Sequence, residues 1–193
     1  MTSKEFAKQY VATLTDEELC AEILSWEFSR ETTEEELLAA VKKNKISGFF
    51  ANTLPLEKIE FLKKAIKEHS KSPCLITADI ERGPIYYDEL YRYATSMMSL
   101  GAVNDETLAF EIGKYTARLS RALGIHVALA PVVDLNVNPP NPVVNSRAAS
   151  DDADRVIRIA GAYGRGMRSE GNLATTIKHF PGDGVDDRAI FLP

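Results

Sequence analysis

Two patterns of apolar and polar residues alternate along the chain: helical spacing, and short uninterrupted apolar runs. Acidic residues directly behind Thr15 and Thr33 predict two early helices, because negative charge in a first turn stabilises the positive end of the helix dipole. Gly124 and Gly171 follow two later amphipathic segments and are expected to end them. The predicted helices cover residues 16–24, 34–43, 56–70, 105–123 and 151–170.

The apolar runs predict strands buried on both faces. Each run is too short for a helix and lacks the alternation of a half-exposed strand. The runs are 46–51, 74–78, 126–133 and 173–180. Strands and helices alternate at roughly 40–50 residues per unit, which favours parallel βαβ units and an α/β fold. A doubly wound sheet shares this order, but the absence of a G-x-G-x-x-G or P-loop motif weakens a nucleotide-binding version.

Composition and charge narrow the function classes. The 193 residues are 45% hydrophobic, which is typical of a globular protein with an apolar core. The formal charge of −5 comes from 28 acidic and 23 basic residues without a long basic block, so a nucleic-acid partner is not expected. The N-terminus lacks a signal-peptide core and no segment approaches the ~20 apolar residues of a membrane span, so we expect a cytoplasmic protein that does not bind membranes. Cys20 and Cys74 are predicted to be buried reduced thiols rather than a disulfide or a metal site.

Polar side chains follow three of the predicted strands at the point where each strand ends. Asp79 and Glu81 follow the first of these strands, Asp134 follows the second, and Lys178 and His179 close the third. Because the carboxyl ends of parallel strands meet on one face, these side chains are expected to share a site there. This convergence predicts a binding or catalytic site.

The residue types at these ends suit a sugar, although each also has a structural explanation. A carboxylate such as Asp79 accepts hydrogen bonds from adjacent hydroxyls, and Arg147 and Lys178 donate to further oxygens. Alternatively, Asp79 pairs with an arginine at the rim of a barrel. His179 has three open roles: holding a loop, binding a hydroxyl, or transferring a proton. The asparagines of the Asn/Pro-rich segment 136–145 are expected mainly to cap turns.

Four motifs resemble those of family 3 glycoside hydrolases in order and approximate spacing. They are Asp79-Ile80-Glu81-Arg82-Gly83-Pro84, Ala130-Pro131-Val132-Val133-Asp134-Leu135-Asn136, Asn145-Ser146-Arg147 and Lys178-His179-Phe180-Pro181-Gly182-Asp183-Gly184. The chain resembles the first part of the family's catalytic barrel from about residue 15 to 188, and it is most similar to the β-N-acetylglucosaminidase branch. The implied fold is α/β, an incomplete (β/α)8 TIM-type barrel of about five βα units with parallel strands. We expect one partial-barrel domain over 1–193, with an off-pattern tail at 185–193.

The resemblance also implies an activity and a set of roles. Family members hydrolyse β-linked N-acetylglucosamine or β-glucoside from nonreducing ends with retention of configuration, and they need no metal or organic cofactor. By resemblance, Asp79, Arg147, Lys178 and His179 bind the sugar. Glu81 and Asp134 support them. The expected partner is therefore a carbohydrate.

Three departures from the family pattern concern activity. Tyr87 stands where the family usually has another sugar-binding arginine, and the expected acid/base histidine position is occupied by Phe191. The family's aspartate nucleophile lies on a later strand that is absent from these 193 residues. We therefore expect a truncated glycosidase that is inactive in isolation. The alternative is a noncatalytic carbohydrate-binding or complementing fragment, and open barrel edges would favour self-association or complementation.

Overall fold

A computed structural model of the protein describes residues 1–43, 47–51, 54–70, 74–83 and 95–185. The chain forms two compact units, Met1–Ile76 and Thr77–Pro193. In chain order the elements are α1 (Ser3–Val11), α2 (Asp16–Glu22), β1 (Ser25–Glu27), α3 (Glu34–Lys43), β2 (Gly48–Phe50), α4 (Leu56–His69), β3 (Leu75–Ala78), α5 (Met97–Val103), α6 (Glu106–Ala122), β4 (Val127–Ala128), a 3-10 turn (Asn145–Arg147), α7 (Ala153–Arg168) and β5 (Ala174–Thr175).

In the first unit, β1 pairs with β2 in parallel, with Trp26 opposite Phe49. The predicted helices α2, α3 and α4 are confirmed within a few residues. The side chain of Thr15 accepts from the amide of Glu18, and the side chain of Glu18 accepts from the amide of Thr15, so the two residues form a capping box at the start of α2. Helix α1 and strand β1 were not predicted, and neither contains a buried residue.

In the second unit, β4 pairs in parallel with β3 on one side and with β5 on the other. Strands β4 and β5 are far shorter than the predicted 126–133 and 173–180. Pro131 falls inside the first of these runs and has no amide hydrogen to donate to a neighbouring strand. Pairing resumes beyond this break, where Val132 bridges Lys178. The interrupted strands still run side by side to the same end of the sheet.

Helices α6 and α7 form the closest-packed layer of the second unit. A Cβ atom on Gly166 would lie 2.0 Å from the carbonyl oxygen of Phe110, so the two helix backbones meet where only glycine fits. Tyr163 is fully buried between these helices, and its hydroxyl donates to Thr116 Oγ1 at 3.2 Å. Burial raises the pKa of Tyr163 to about 12. Helix α7 of this layer packs against β5.

Two surface features complete the fold. Cys20 is exposed, so its predicted burial was wrong: helix α2 has no buried residue. Cys74 is partly buried beside Ser70, and burial raises the pKa of its thiol. Over the part of the chain that the structure describes, none of the helices combines the length and the apolar character needed to cross a membrane.

Candidate functional site

The polar strand ends meet in the second unit, as the parallel order predicted. The segments that follow β4 and β5 remain hydrogen-bonded to each other there, since the amide of Val133 donates to the carbonyl oxygen of Lys178 at 2.7 Å. Asp79 and Glu81 follow β3, and Arg147 enters from the 3-10 turn. The structure thus brings together all six residues singled out from the sequence: Asp79, Glu81, Asp134, Arg147, Lys178 and His179.

Two cations and two carboxylates form a compact ion-pair network. Lys178 Nζ lies 2.5 Å from Asp79 Oδ1 and 2.6 Å from Glu81 Oε1. Arg147 binds Glu81 through two parallel bonds, Nε to Oε2 at 2.8 Å and Nη2 to Oε1 at 2.6 Å. This forked geometry orients both side chains as well as pairing their charges. We call these four residues the charged cluster.

Electrostatics follow from this pairing. Burial works to raise the pKa of Glu81, but hydrogen bonds from Arg147 and Lys178 outweigh it, and the pKa lies below its ordinary value. The hydrogen bond to Glu81 raises the pKa of Arg147 against the opposing effect of burial. Glu81 is therefore a carboxylate at neutral pH and serves to hold the two cations.

His179 is oriented by groups on both ring nitrogens. Its Nδ1 lies 2.6 Å from Asp134 Oδ2, and its Nε2 lies 3.2 Å from Arg147 Nη2. Because a guanidinium group only donates, Nε2 must accept, and the proton belongs on Nδ1 facing the carboxylate. The arrangement is that of a neutral imidazole with both nitrogens engaged. It suits a positioning or binding residue better than a proton carrier.

Asp134 is the fully buried carboxylate of the site. Its Oδ2 accepts from the backbone amide and the ring of His179, at 3.2 and 2.6 Å, and its Oδ1 accepts from the amide of Asp183 at 2.8 Å. Its side chain has 0% exposure. Asp134 thus joins the segment that follows β4 to His179 and Asp183 in the segment that follows β5.

Hydrogen-bonding capacity remains in the charged cluster. Lys178 has three N–H groups, of which two face Asp79 and Glu81. The Asp79 carboxylate uses Oδ1 for its contact with Lys178. Its Oδ2 has no partner within the described part of the chain and is available to accept. The side chains of Asp79 and Lys178 are 26% and 16% exposed, so a small ligand can reach them. A free donor beside a free acceptor matches a hydroxyl group, which both donates and accepts.

Asn141 is a buried participant that sequence reasoning missed. Its Oδ1 accepts from the amides of Val143 and Val144, each at 2.8 Å, and its Nδ2 donates to the carbonyl oxygen of Asp183 at 2.6 Å. The expected role as a turn cap accounts for the first two bonds only. The third bond joins segments 42 residues apart, and no short sequence motif around Asn141 predicts it.

An apolar depression lies beside the segments that follow β4 and β5 and includes Asp134 and His179 in its lining. Two cavities of about 430 Å³ each share the side chains of Val133, Leu135 and Ile177, and we call their combined surface the β5 trough. Large apolar side chains stand exposed on it: Ile157 at 69%, Ile177 at 58% and Phe180 at 97%. Exposed apolar residues grouped in this way mark a surface that is usually covered.

Two sequence predictions lie outside the described residues. Tyr87 and Phe191, the departures from the expected arginine and acid/base positions, fall in 84–94 and 186–193. Within the described ranges, no group of three or more histidine, cysteine, aspartate or glutamate side chains is arranged to hold a metal ion.

Known proteins resemble the chain in both sequence and fold. The chain is 37% identical over 116 residues to a β-N-acetylglucosaminidase/β-glucosidase from Cellulomonas fimi, covering 60% of this chain and 20% of that protein. It is 37% identical over 130 residues to a β-hexosaminidase from Xylella fastidiosa strain M23, covering 64% of this chain and 38% of that protein. The chain thus spans well under half the length of these curated relatives.

A solved structure of the β-glucoside phosphorylase BglX bound to 2FGlc superposes with a TM-score of 0.83 at 28% identity, covering 98% of this chain and 34% of that chain. The predicted class, an α/β fold corresponding to the first part of a TIM-type barrel with parallel strands, is thereby confirmed. The family model described as glycosyl hydrolase family 3 N terminal domain matches residues 14–188. The chain belongs to glycosyl hydrolase family 3.

Proposed function

We propose that the chain supplies the sugar-binding part of a family 3 glycosidase. The substrate is a β-linked N-acetylglucosamine or β-glucoside at a nonreducing end, and the reaction retains configuration. The observation that carries this proposal is the charged cluster, which lies where the strand ends of a TIM-type barrel present their ligand-binding groups. The names of the β-hexosaminidase and glucosidase relatives support the substrate class.

Each residue of the site takes a distinct part in this proposal. Asp79 accepts from a sugar hydroxyl through Oδ2, and Lys178 donates its third N–H to a neighbouring oxygen. Arg147 and His179 lie at the edge of the same space. Glu81 orients Arg147, and Asp134 orients His179. Because the binding groups are held before the ligand arrives, little side-chain entropy is lost on binding.

The bond-making groups are proposed to lie outside this set. A retaining glycosidase uses one carboxylate as nucleophile to form a glycosyl-enzyme, and a second group protonates the leaving oxygen and later activates water. In the site described here, Asp79, Glu81 and Asp134 each bind a cation or an imidazole. A carboxylate engaged in this way is a weakened nucleophile. The 193-residue chain alone is therefore proposed to bind sugar without turning it over.

The β5 trough supports a proposal about the partner. It lies beside the segment that follows β5, and β5 itself pairs with β4 as its one strand partner among the described residues. Its exposed apolar side chains fit a further strand and an amphipathic helix, the unit that extends a parallel sheet. Since the relatives are much longer than this chain, the occupant proposed is the next βα unit of a family 3 barrel. Sugar turnover is expected when that unit and its successors are supplied.

Binding is tested by titrating N-acetylglucosamine and glucose into the chain by calorimetry. Lys178→Met removes the third donor and leaves Asp79 unpaired, so we expect a loss of affinity of about tenfold to a hundredfold. Lys114→Met is the matched control, because Lys114 also pairs with a carboxylate, Glu170 at 3.7 Å, away from the site. Equal affinities for the two variants and the parent chain would contradict the proposed site.

Turnover is tested on aryl β-N-acetylglucosaminide and aryl β-glucoside, with and without inorganic phosphate, since one structural relative is named a phosphorylase. We expect no measurable release from the chain alone. Steady turnover that disappears in Lys178→Met would refute the proposed inactivity while upholding the site.

A further inference from the structure

We propose that Asn141 is a positioning residue that links Arg147 to the segment Gly182–Val185. The residue is 1% exposed, and its side chain makes three hydrogen bonds, all to backbone groups. Two of them shape the turn that presents Arg147, and the third holds the loop behind His179. One buried amide thereby controls two parts of the site.

The link to Arg147 runs through two consecutive residues, Val143 and Val144. Asn141 Oδ1 accepts hydrogen bonds from the amides of Val143 and Val144. The carbonyl oxygen of Val143 then accepts from Arg147 Nη1 at 3.0 Å, and the carbonyl of Val144 accepts from the Arg147 amide at 2.8 Å. The guanidinium is therefore oriented by Glu81 on one side and by the Asn141-dependent turn on the other.

The link to the loop holds the Asp183 residue at both of its backbone groups. Its amide donates to Asp134 Oδ1 at 2.8 Å and its carbonyl accepts from Asn141 Nδ2 at 2.6 Å. The next residue is equally confined, because a Cβ on Gly184 would lie 2.1 Å from the carbonyl oxygen of Leu135. Gly182–Val185 leads directly into residues 186–193. Asn141 thus helps to fix the position of Asp183 near the end of the described chain.

Two substitutions separate the two links. Asn141→Asp keeps an acceptor for Val143 and Val144 but places a carboxylate oxygen against the Asp183 carbonyl, where a donor is needed. Asn141→Ala removes both links. Tyr163→Phe is the control, since it also removes one buried side-chain hydrogen bond, between α6 and α7, without contacting either segment.

The measurement is residue-resolved amide hydrogen exchange by NMR, with N-acetylglucosamine affinity alongside. In Asn141→Asp the Asp183 amide is expected to lose about tenfold in protection, whereas the Val143 and Val144 amides keep theirs. In Asn141→Ala the amides of Asp183, Val143 and Val144 are all expected to lose protection, and sugar affinity is expected to fall below that of Asn141→Asp. Tyr163→Phe leaves the protection of these three amides, relative to the rest of the chain, unchanged.

The opposite outcome is equally distinct. Unchanged Asp183 protection in Asn141→Asp, or an equal loss at all three amides in that variant, overturns the inference, since either shows that the amide does not hold the loop separately from the turn. If Asn141→Ala fails to fold, the Asp variant still decides the question. The affinity comparison rests on the proposed function, whereas the exchange comparison does not, so failure of sugar binding leaves the test of Asn141 intact.

Discussion

The charged cluster and the β5 trough both belong to the second unit, but their side chains differ in burial and pairing. In the cluster each charged group faces an opposite charge, and Glu81 is 14% exposed. In the trough, Ile157 and Phe180 present most of their side chains to solvent. The comparison shows that contacts within the chain hold the ligand-facing groups in place. The apolar side chains of the trough, in contrast, remain exposed.

The sharpest way to break the organised region is to remove Asp134. Asp134→Ala leaves three donors without an acceptor in a site with 0% side-chain exposure, so we expect about 3–5 kcal/mol of destabilisation and loss of sugar binding. Urea unfolding and sugar titration measure the two effects.

Asp105→Ala is the control for that variant. Asp105 also accepts two backbone amides, at 2.8 and 3.1 Å, but as an exposed N-cap of α6. Its loss should cost about 1 kcal/mol. If the two variants unfold at the same urea concentration, the organisation attributed to Asp134 is incorrect.

A smaller effect is expected when the forked contact of Arg147 is weakened. Arg147→Lys keeps the charge but cannot make two parallel bonds to Glu81, so sugar affinity should fall about tenfold with modest loss of stability. Arg118→Lys provides the comparison, because Arg118 also makes two hydrogen bonds to a glutamate, both to Oε1 of Glu170, while remaining 61% exposed. Its change should leave affinity unaltered and stability nearly so.

Sequence reasoning located most of this organisation because the relevant signals were local. Caps at Thr15 and Thr33 marked two helix starts, and the polar residues after β3 and β5 converged because parallel strands end on one face. The predicted strands were too long where Pro131 interrupts pairing. The role of Asn141 was missed, since its burial depends on a partner far along the chain.

Acidification offers a finer test of the cluster. Because the pKa of Glu81 lies below its ordinary value in the folded protein, its contribution to stability is present above that ordinary value and is lost as pH falls through the lowered one. Glu81→Gln should therefore be less stable than the parent near pH 7, and the gap should narrow toward about pH 3. Urea unfolding at both pH values measures the gap.

Glu106→Gln is the matched comparison for the pH series. Glu106 also approaches two arginines, Arg158 at 3.6 Å and Arg165 at 3.5 Å, but it is 46% exposed. Screening by water keeps such pairs weak, so its gap should stay small throughout. A gap for Glu81→Gln that widens on acidification would contradict the assigned ion pairing.

The smallest change in stability is expected in the trough, where the contrast with the cluster is clearest. Ile157→Lys replaces a side chain that is already 69% exposed, so the free energy of unfolding should change by less than about 0.5 kcal/mol. The added charge would nevertheless face the βα unit proposed to cover the trough. Sedimentation of the variant should therefore show less concentration-dependent association. Sedimentation of its mixture with a complementing family 3 fragment should show weaker binding of that fragment. Leu108→Lys on α6, at 39% exposure and outside the trough, should alter neither. Equal association of both variants would show that the exposed apolar residues beside β5 do not form a docking surface.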